Sequence, residues 1–332
     1  MSADAQPSAM KVVICGGGVI GASIAYFLSL KGIASTIIER TSIACAASGK
    51  AGGFLALDMC DKSPVGPLAR KSFELHEQLS RDLHVDYGYR KLDTLSLAVS
   101  SKKKPRKLGI TLPEWVDGPI IDAASLGTKS TTAQVHPFKF TNALIQAACE
   151  RGARVRIGQV QGLVFAGGSH KVTGVTVDGS VIPADVVVIA MGPWSILAAD
   201  WLPIPSIGAQ KAYSIVLKPE RPITAHALFL EYEDDNGRQI EPEVYPRPDS
   251  TVYICGCSDT VPLPADASAI QSSEVVTQTL IKVASAVSTA LKGAPLEVSQ
   301  ACYLPLSPDG VPLLGHVDGV DGAYIATGHS CW

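Results

Sequence analysis

Apolar residues along this chain alternate between short continuous runs and a helical period, and the first such switch comes almost at once. Val12 to Cys15 is an unbroken apolar run, as expected of a strand buried on both faces. It passes through Gly16, Gly17 and Gly18 into Ala22 to Leu30, which is apolar and helix-prone, and Lys31-Gly32 supplies the stop. Ser35 to Ile38 then reads as a second buried strand ending at Glu39. The same grammar returns later. A helical period over Val65 to Leu83 places Leu68, Phe73, Leu75, Leu79 and Leu83 on overlapping faces, and predicts a helix covering a ligand. A helix is also predicted from about Phe138 to Arg151, ended by Gly152, followed by the strand-like RVRIGQVQGLVF. Lys171 to Val181 alternates as a hairpin with Asp178-Gly179 at its turn, and Ala184 to Ala190 is a buried strand of parallel-sheet type.

From Pro203 to Tyr303 the pattern becomes alternating strands, turns and prolines with a helix over roughly Ser272 to Leu291, which predicts an antiparallel sheet with a covering helix. The last stretch is turn-rich and ends in a buried strand, Ala323 to Ala326, before Thr327-Gly328. Lys102 to Lys107 reads as a solvated loop between strands.

Gly16, Gly18 and Gly21 at this strand-to-helix junction form a dinucleotide cradle. One glycine permits the tight turn, one lets a pyrophosphate reach bare backbone, and one lets helix and strand pack closely. Val19 and Ile20 open the helix whose positive end would carry the pyrophosphate. Glu39 follows Gly21 at close to the spacing of about 20 residues expected of a carboxylate that binds a ribose hydroxyl. Ser48 to Ala56 is small and glycine-rich, and reads equally as a close approach to a flat ligand or as a flexible connection.

Composition narrows the partner. The 332 residues are 46% hydrophobic and 18% charged with a net charge of −3, which argues against nucleic acid and for a small molecule. Met1 to Ala9 is short and polar, without a signal peptide, and no apolar run approaches the ~18 to 20 residues of a membrane span. Eight cysteines without paired metal-type spacing read as reduced thiols of a cytoplasmic compartment, and no metal site is expected. Cys255 and Cys257, two apart in a strand, are expected on the same face as packing residues.

VVICGGGVIGASIAYFLSLKG with IIER, SGKAGGFLA, ADVVVIAMGPWS, and DGVPLLG followed by AYIATGH resemble, in order, the motifs of the FAD-dependent oxidoreductases of the D-amino acid oxidase, glycine oxidase and sarcosine oxidase superfamily. The resemblance implies an α/β fold: a doubly wound, mostly parallel Rossmann-like FAD domain interleaved with an antiparallel-sheet substrate domain. The division is drawn at 10–60, 134–200 and 302–332 for the FAD domain, and at 61–133 and 201–301 for the substrate domain.

By the same resemblance, Glu39 and Arg40 serve the adenosine ribose and its surroundings, and Ser48, Ala51, Gly52 and Gly53 the ribityl chain and flavin. Val160 meets the adenine through its backbone, Gly192 and Trp194 stand beside the cofactor, and Asp309, Gly310, Gly315, Gly328 and His329 form the closing motif. The implied chemistry is hydride transfer from an amine or amino-acid-type carbon to flavin N5, with oxygen or another acceptor reoxidising the flavin. No catalytic acid or base is assigned.

Three departures from the family pattern stand out. The arginine that clamps a substrate carboxylate is replaced by Leu304, leaving Lys211 and Arg247 as candidates near substrate. Cys302 falls where the sarcosine oxidase branch places a cysteine bonded to flavin, so a covalent thioether and a buried apolar thiol are both open. The chain stops at Trp332, where the family continues into a helix, and resembles a truncated member with reduced flavin affinity. The wording QACYLP, GPWS and ATGHSCW resembles a eukaryotic oxidoreductase branch, one member of which is linked in yeast to endosomal cargo retrieval; this implies peripheral endosomal association. The alternatives left open are a regulatory or weakly active flavoprotein and an FAD-dependent 2-hydroxy acid dehydrogenase.

Overall fold

The computed structural model describes residues 10–104, 107–234 and 236–331. Met1 to Ala9, Pro105 and Arg106 of the charged run, and Trp332 therefore lie outside the described residues, together with the expectations placed on them. The chain divides into two compact units, residues 1–49, 141–209 and 304–332 against 50–140 and 210–303. The first boundary falls at Gly49/Lys50, ahead of the expected 60/61.

The first unit holds a six-stranded sheet in the order Leu313–His316, Ala323–Thr327, Val186–Ile189, Val12–Cys15, Ser35–Glu39, Arg154–Ile157. All neighbours run parallel except the hairpin edge at Leu313–His316. The unbroken apolar runs are explained by their position: Ile14, Cys15, Val187 and Ile189 sit at zero exposure in central strands. Burying each such aliphatic side chain is worth about 1.5–3 kcal/mol. A second sheet, Val160–Phe165, Val172–Val177 and Ser180–Pro183, is antiparallel and shares a core with the first through Val172, Val175, Val177, Val187 and Ile189. Its hairpin turns at Asp178 and Gly179, both with positive φ (49° and 75°), the backbone that a two-residue turn of the primed type demands.

The second unit is built on an eight-stranded sheet that includes Gly208–Leu217, Val252–Asp259, Glu243–Pro246, His226–Glu233, Asp93–Ser100 and Ile120–Gly127. The helix Glu274–Val287 covers one face, burying Leu280, Val283 and Val287 against Leu217, Leu228 and Ile254. The pairings within the Pro203 to Tyr303 stretch are antiparallel as expected, but where the sheet takes in a strand from earlier in the chain, His226–Glu233 runs parallel to Asp93–Ser100 in the register His226↔Asp93 to Glu233↔Ser100. More than a hundred residues separate the two strands in sequence, so no hairpin imposes opposite directions.

Cys255 and Cys257 also differ from expectation. Gly256 (φ +150°) is a bulge, since Tyr213 pairs with Cys257 while Ser214 pairs with Cys255. The extra residue breaks the period of two, so Cys255 joins Tyr245 and Tyr253 on one face and Cys257 joins the opposite core. The Ser48 to Ala56 stretch is ordered by pairing: Phe54–Ala56 pairs antiparallel with Thr132–Gln134, in a small sheet that Arg90–Lys91 completes.

Candidate functional site

In the first unit the carboxyl ends of Val12–Cys15, Ser35–Glu39, Val186–Ile189 and Ala323–Thr327 lie along one edge of the sheet, because all four strands are parallel and nearly in register. Open α/β sheets bind ligands at this edge. Each strand delivers a predicted residue there: Gly16, Glu39, Gly192 and Gly328.

The cradle is built from close backbone approaches. Gly16 has φ +117°, and a Cβ there would stand 2.2 Å from the Ala190 carbonyl oxygen. At Gly21 a Cβ would meet the Gly16 carbonyl oxygen at 2.0 Å, so the helix Val19–Leu30 lies against the turn only because the atom is missing. Gly18 is the N-cap and supplies no side-chain cap; instead Ser48 Oγ accepts from the Val19 N–H at 2.9 Å. The amides of Gly18 and Ile20 have no acceptor among the described residues. They are two donors at the positive end of a helix, the feature that binds a pyrophosphate.

Glu39 does a job that spacing alone does not reveal. Its two oxygens accept from the Gly17 N–H at 2.8 Å and from the Thr41 N–H at 3.0 Å, bracing the glycine turn. A carboxylate has about four acceptor sites, so room is left for ribose hydroxyls. Arg40 beside it is exposed. The Gly158 N–H donates to the Glu39 carbonyl at 2.9 Å, which carries Val160 to the same strand end.

The closing motif is tied to the other side of the cradle. Thr327 Oγ1 donates to the Gly192 carbonyl at 2.9 Å, and Gly192 opens the 3-10 helix Gly192–Asp200 that contains Trp194. Gly328 packs on Ser307, where a Cβ would be 3.0 Å from the Ser307 Cβ, and His329 bridges Leu306. Burial pushes the His329 imidazole down to about 4, so it is neutral at pH 7. Ser307 Oγ and Ser195 Oγ are buried without a partner among the described residues. Asp309 and Gly310 form an exposed turn in which Asp309 Oδ1 accepts from the Val311 N–H, and Gly315 lies in the exposed edge strand.

In the second unit, the Lys50 ammonium donates to the Ala301 carbonyl at 3.1 Å and Gln300 Nε2 to the Lys50 carbonyl at 3.2 Å, so the segment with Ala51, Gly52 and Gly53 adjoins the strand of Cys302. Cys302 is buried, and burial pushes its thiol up to about 11. Gly52 lies flat against Tyr245 and Tyr253, with a Cβ only 2.5 Å from the Tyr245 ring. Those two rings stack at 6.1 Å; Tyr245 donates to Glu243 at 2.6 Å and Cys255 Sγ to the same oxygen at 3.4 Å. Sequence reasoning passed over Glu243, Tyr245 and Tyr253. Their signal was the alternation in EVYPRPDSTVYICGC, which places Tyr245 opposite Tyr253.

Lys211 and Arg247 are not brought together. Lys211 pairs in register with Asp259 at one end of the Val252–Asp259 strand, its ammonium 4.9 Å from the Tyr213 ring, and Arg247 stands just beyond the other end. At about 3.3 Å per residue the strand separates them by roughly 23 Å, so they do not clamp one small carboxylate together.

The glycine turn, the helix end, the Glu39 carboxylate and the parallel strand ends make up an α/β fold of the dinucleotide-binding kind, and FAD fits them: the glycines keep the turn backbone bare, and two amides at the helix start have no acceptor among the described residues. The FAD dependent oxidoreductase family DAO matches residues 11–332, and the chain belongs to it. It is 31% identical to the Schizosaccharomyces pombe protein C1F5.03c, named as an oxidoreductase, over 97% of this chain and 89% of that protein. It is 23% identical to the 4-methylaminobutanoate oxidase (formaldehyde-forming) of Paenarthrobacter nicotinovorans, over 74% of this chain and 34% of that one. The fold is that of glycine oxidase from Bacillus cereus, with TM-score 0.80, 23% identity, and 97% and 90% of the two chains covered. The protein is thus an oxidoreductase of an FAD-dependent family. No helix among the described residues is long and apolar enough to cross a membrane, and no cluster of His, Cys, Asp and Glu there would hold a metal ion.

Proposed function

We propose that this oxidoreductase oxidises a carbon–nitrogen bond of a small amine or amino-acid-type substrate, with FAD held noncovalently. The observation that carries the reading is the convergence of Gly16, Glu39, Gly192 and Gly328 at one sheet edge, with Thr327 tying the closing motif to Gly192. The similarity to a 4-methylaminobutanoate oxidase supports the substrate class. FAD, when bound, supplies the hydride acceptor.

The chain's own residues bind and orient. The Gly18 and Ile20 amides donate to the pyrophosphate, Glu39 accepts from the ribose, and Val160 meets the adenine edge through its backbone. Gly192, Trp194, Asp309, Gly310, Gly315, Gly328 and His329 of the first unit would hold the ribityl and ring portion. The uncharged His329 serves as a neutral hydrogen-bonding partner. Noncovalent binding is supported by Cys302: a thioether needs a thiolate, and a thiol pushed up to about 11 is protonated at neutral pH.

The test is a visible spectrum of the purified chain before and after acid precipitation, then anaerobic addition of N-methylated amino acids, primary amino acids and lactate. Yellow supernatant and bleaching by an amine are expected. Bleaching by lactate alone would turn the assignment to a 2-hydroxy acid dehydrogenase; a yellow protein bleached by none of them would turn it to a regulatory flavoprotein.

A further inference from the structure

We propose that the second unit carries an oxyanion-binding site, built on Arg90 and Arg247, from residues that the flavin cradle does not use. Arg90 and Arg247 both line one cavity of about 170 Å³, together with Ser250, Thr251, Pro246 and Pro248. Arg247 is only 7% exposed. Its guanidinium lies over the Tyr253 ring, 5.0 Å from the centroid; Nη2 donates to the Ala51 carbonyl at 3.1 Å, and Nε has no partner. Arg90 donates through Nε to Gln134 Oε1 at 3.2 Å and through Nη2 to the Pro246 carbonyl at 2.6 Å. Gln134 is fully buried, and its Nε2 is likewise unpartnered.

All the acceptors these arginines find are uncharged. Neither makes an ion pair among the described residues. The acidic group that acts on both is Asp249, whose Oδ1 already accepts from the Thr251 N–H at 3.1 Å and the Thr251 hydroxyl at 2.7 Å. Lys218 adds a further positive charge by donating to the Asp249 carbonyl at 2.6 Å. His136, half-buried near Arg247, is held down to about 4 and contributes no charge at pH 7. The balance is an excess of positive charge.

A buried guanidinium stays charged and pays a desolvation cost that neutral acceptors only partly offset. With five N–H donors in a planar fork, each arginine has donors to spare, matched in geometry to a carboxylate or a phosphate. The flanking prolines donate no N–H and hold the rim rigid, so the ligand is read by the two guanidiniums and the Ser250 and Thr251 side chains. The ligand is therefore a small oxyanion, either a carboxylate or a phosphate group.

The experiment is calorimetric titration of the full chain with sodium phosphate and with sodium acetate at constant ionic strength, repeated on Ser250→Asp and Arg90→Gln. Ser250 is exposed at φ +65°, a backbone region that Asp tolerates, so Ser250→Asp adds a negative charge at the cavity mouth while sparing both arginines. Saturable binding weakened at least about tenfold by Ser250→Asp, and also weakened by Arg90→Gln, is expected from loss of a charge-assisted contact. Preference for phosphate or for acetate assigns the ligand class, and either supports the site. No saturable binding of either anion, or equal affinity in the wild type and Ser250→Asp, overturns it. The readout needs neither turnover nor flavin, so it stands apart from the amine-oxidation proposal.

Discussion

The two units solve the problem of making a site in opposite ways. In the first, the working parts are backbone: glycine turns at parallel strand ends, amides at a helix start, and a carboxylate that braces the turn. In the second they are side chains buried among aromatic rings, with Glu243, Tyr245, Tyr253 and Arg247 packed beneath the Gly52 backbone. A backbone site is damaged by adding atoms, and a side-chain site by removing them.

The sharpest break of that contrast is Tyr253→Ala. The ring is 4% exposed and stacks on Tyr245 under the Arg247 guanidinium, so its removal should cost about 3–5 kcal/mol in urea unfolding and release Arg247 from its position. Addition of an atom in the first unit comes next. Gly16→Ala forces a Cβ to 2.2 Å from the Ala190 oxygen at φ +117°, and should destabilise by about 1–3 kcal/mol while the purified protein loses its yellow colour. If Gly16→Ala keeps full flavin while Tyr253→Ala is neutral, the contrast between the units fails.

The smallest effect is that of pH on the first unit. His329 binds a proton less readily folded (about 4) than unfolded (about 6.5), so the unfolded chain takes up the proton first and stability falls as pH drops below about 6.5, levelling off below about 4. The expected loss is on the order of 1 kcal/mol between pH 7 and about pH 5.5. His76 and His136, each held down to about 4 by burial, act in the same direction in the second unit. His329→Gln should therefore flatten the pH dependence only in part, as followed by urea midpoints across that range.

The candidate site was legible where chemistry is local. A strand, three glycines, a helix and an acid follow one another within the span from Val12 to Glu39, and their spacing points to a candidate cradle before any contact is known. The hairpin at Asp178-Gly179 was legible for the same reason, since a positive φ is a demand on the residue itself. Less could be read from the second unit. A single bulge at Gly256 reversed the side on which Cys257 lies, and periodicity has no way to register one extra residue.

By itself, the sequence determined the glycine turn after the first strand and most of the elements, because apolar periodicity and turn chemistry act between near neighbours; the family showed through the resemblance of its ordered motifs. Tertiary structure decided that Glu39 braces the turn of Gly17, that Lys211 and Arg247 stand at opposite ends of a strand, and that the sheet of the second unit is mixed. It also set Arg90 against Gln134 and the Pro246 carbonyl, and Arg247 against the Ala51 carbonyl, all uncharged acceptors. The physical reason is the same in each case: charge and hydrogen bonding depend on distance in space, and residues far apart along the chain acquire a distance only when the strands between them have chosen their partners.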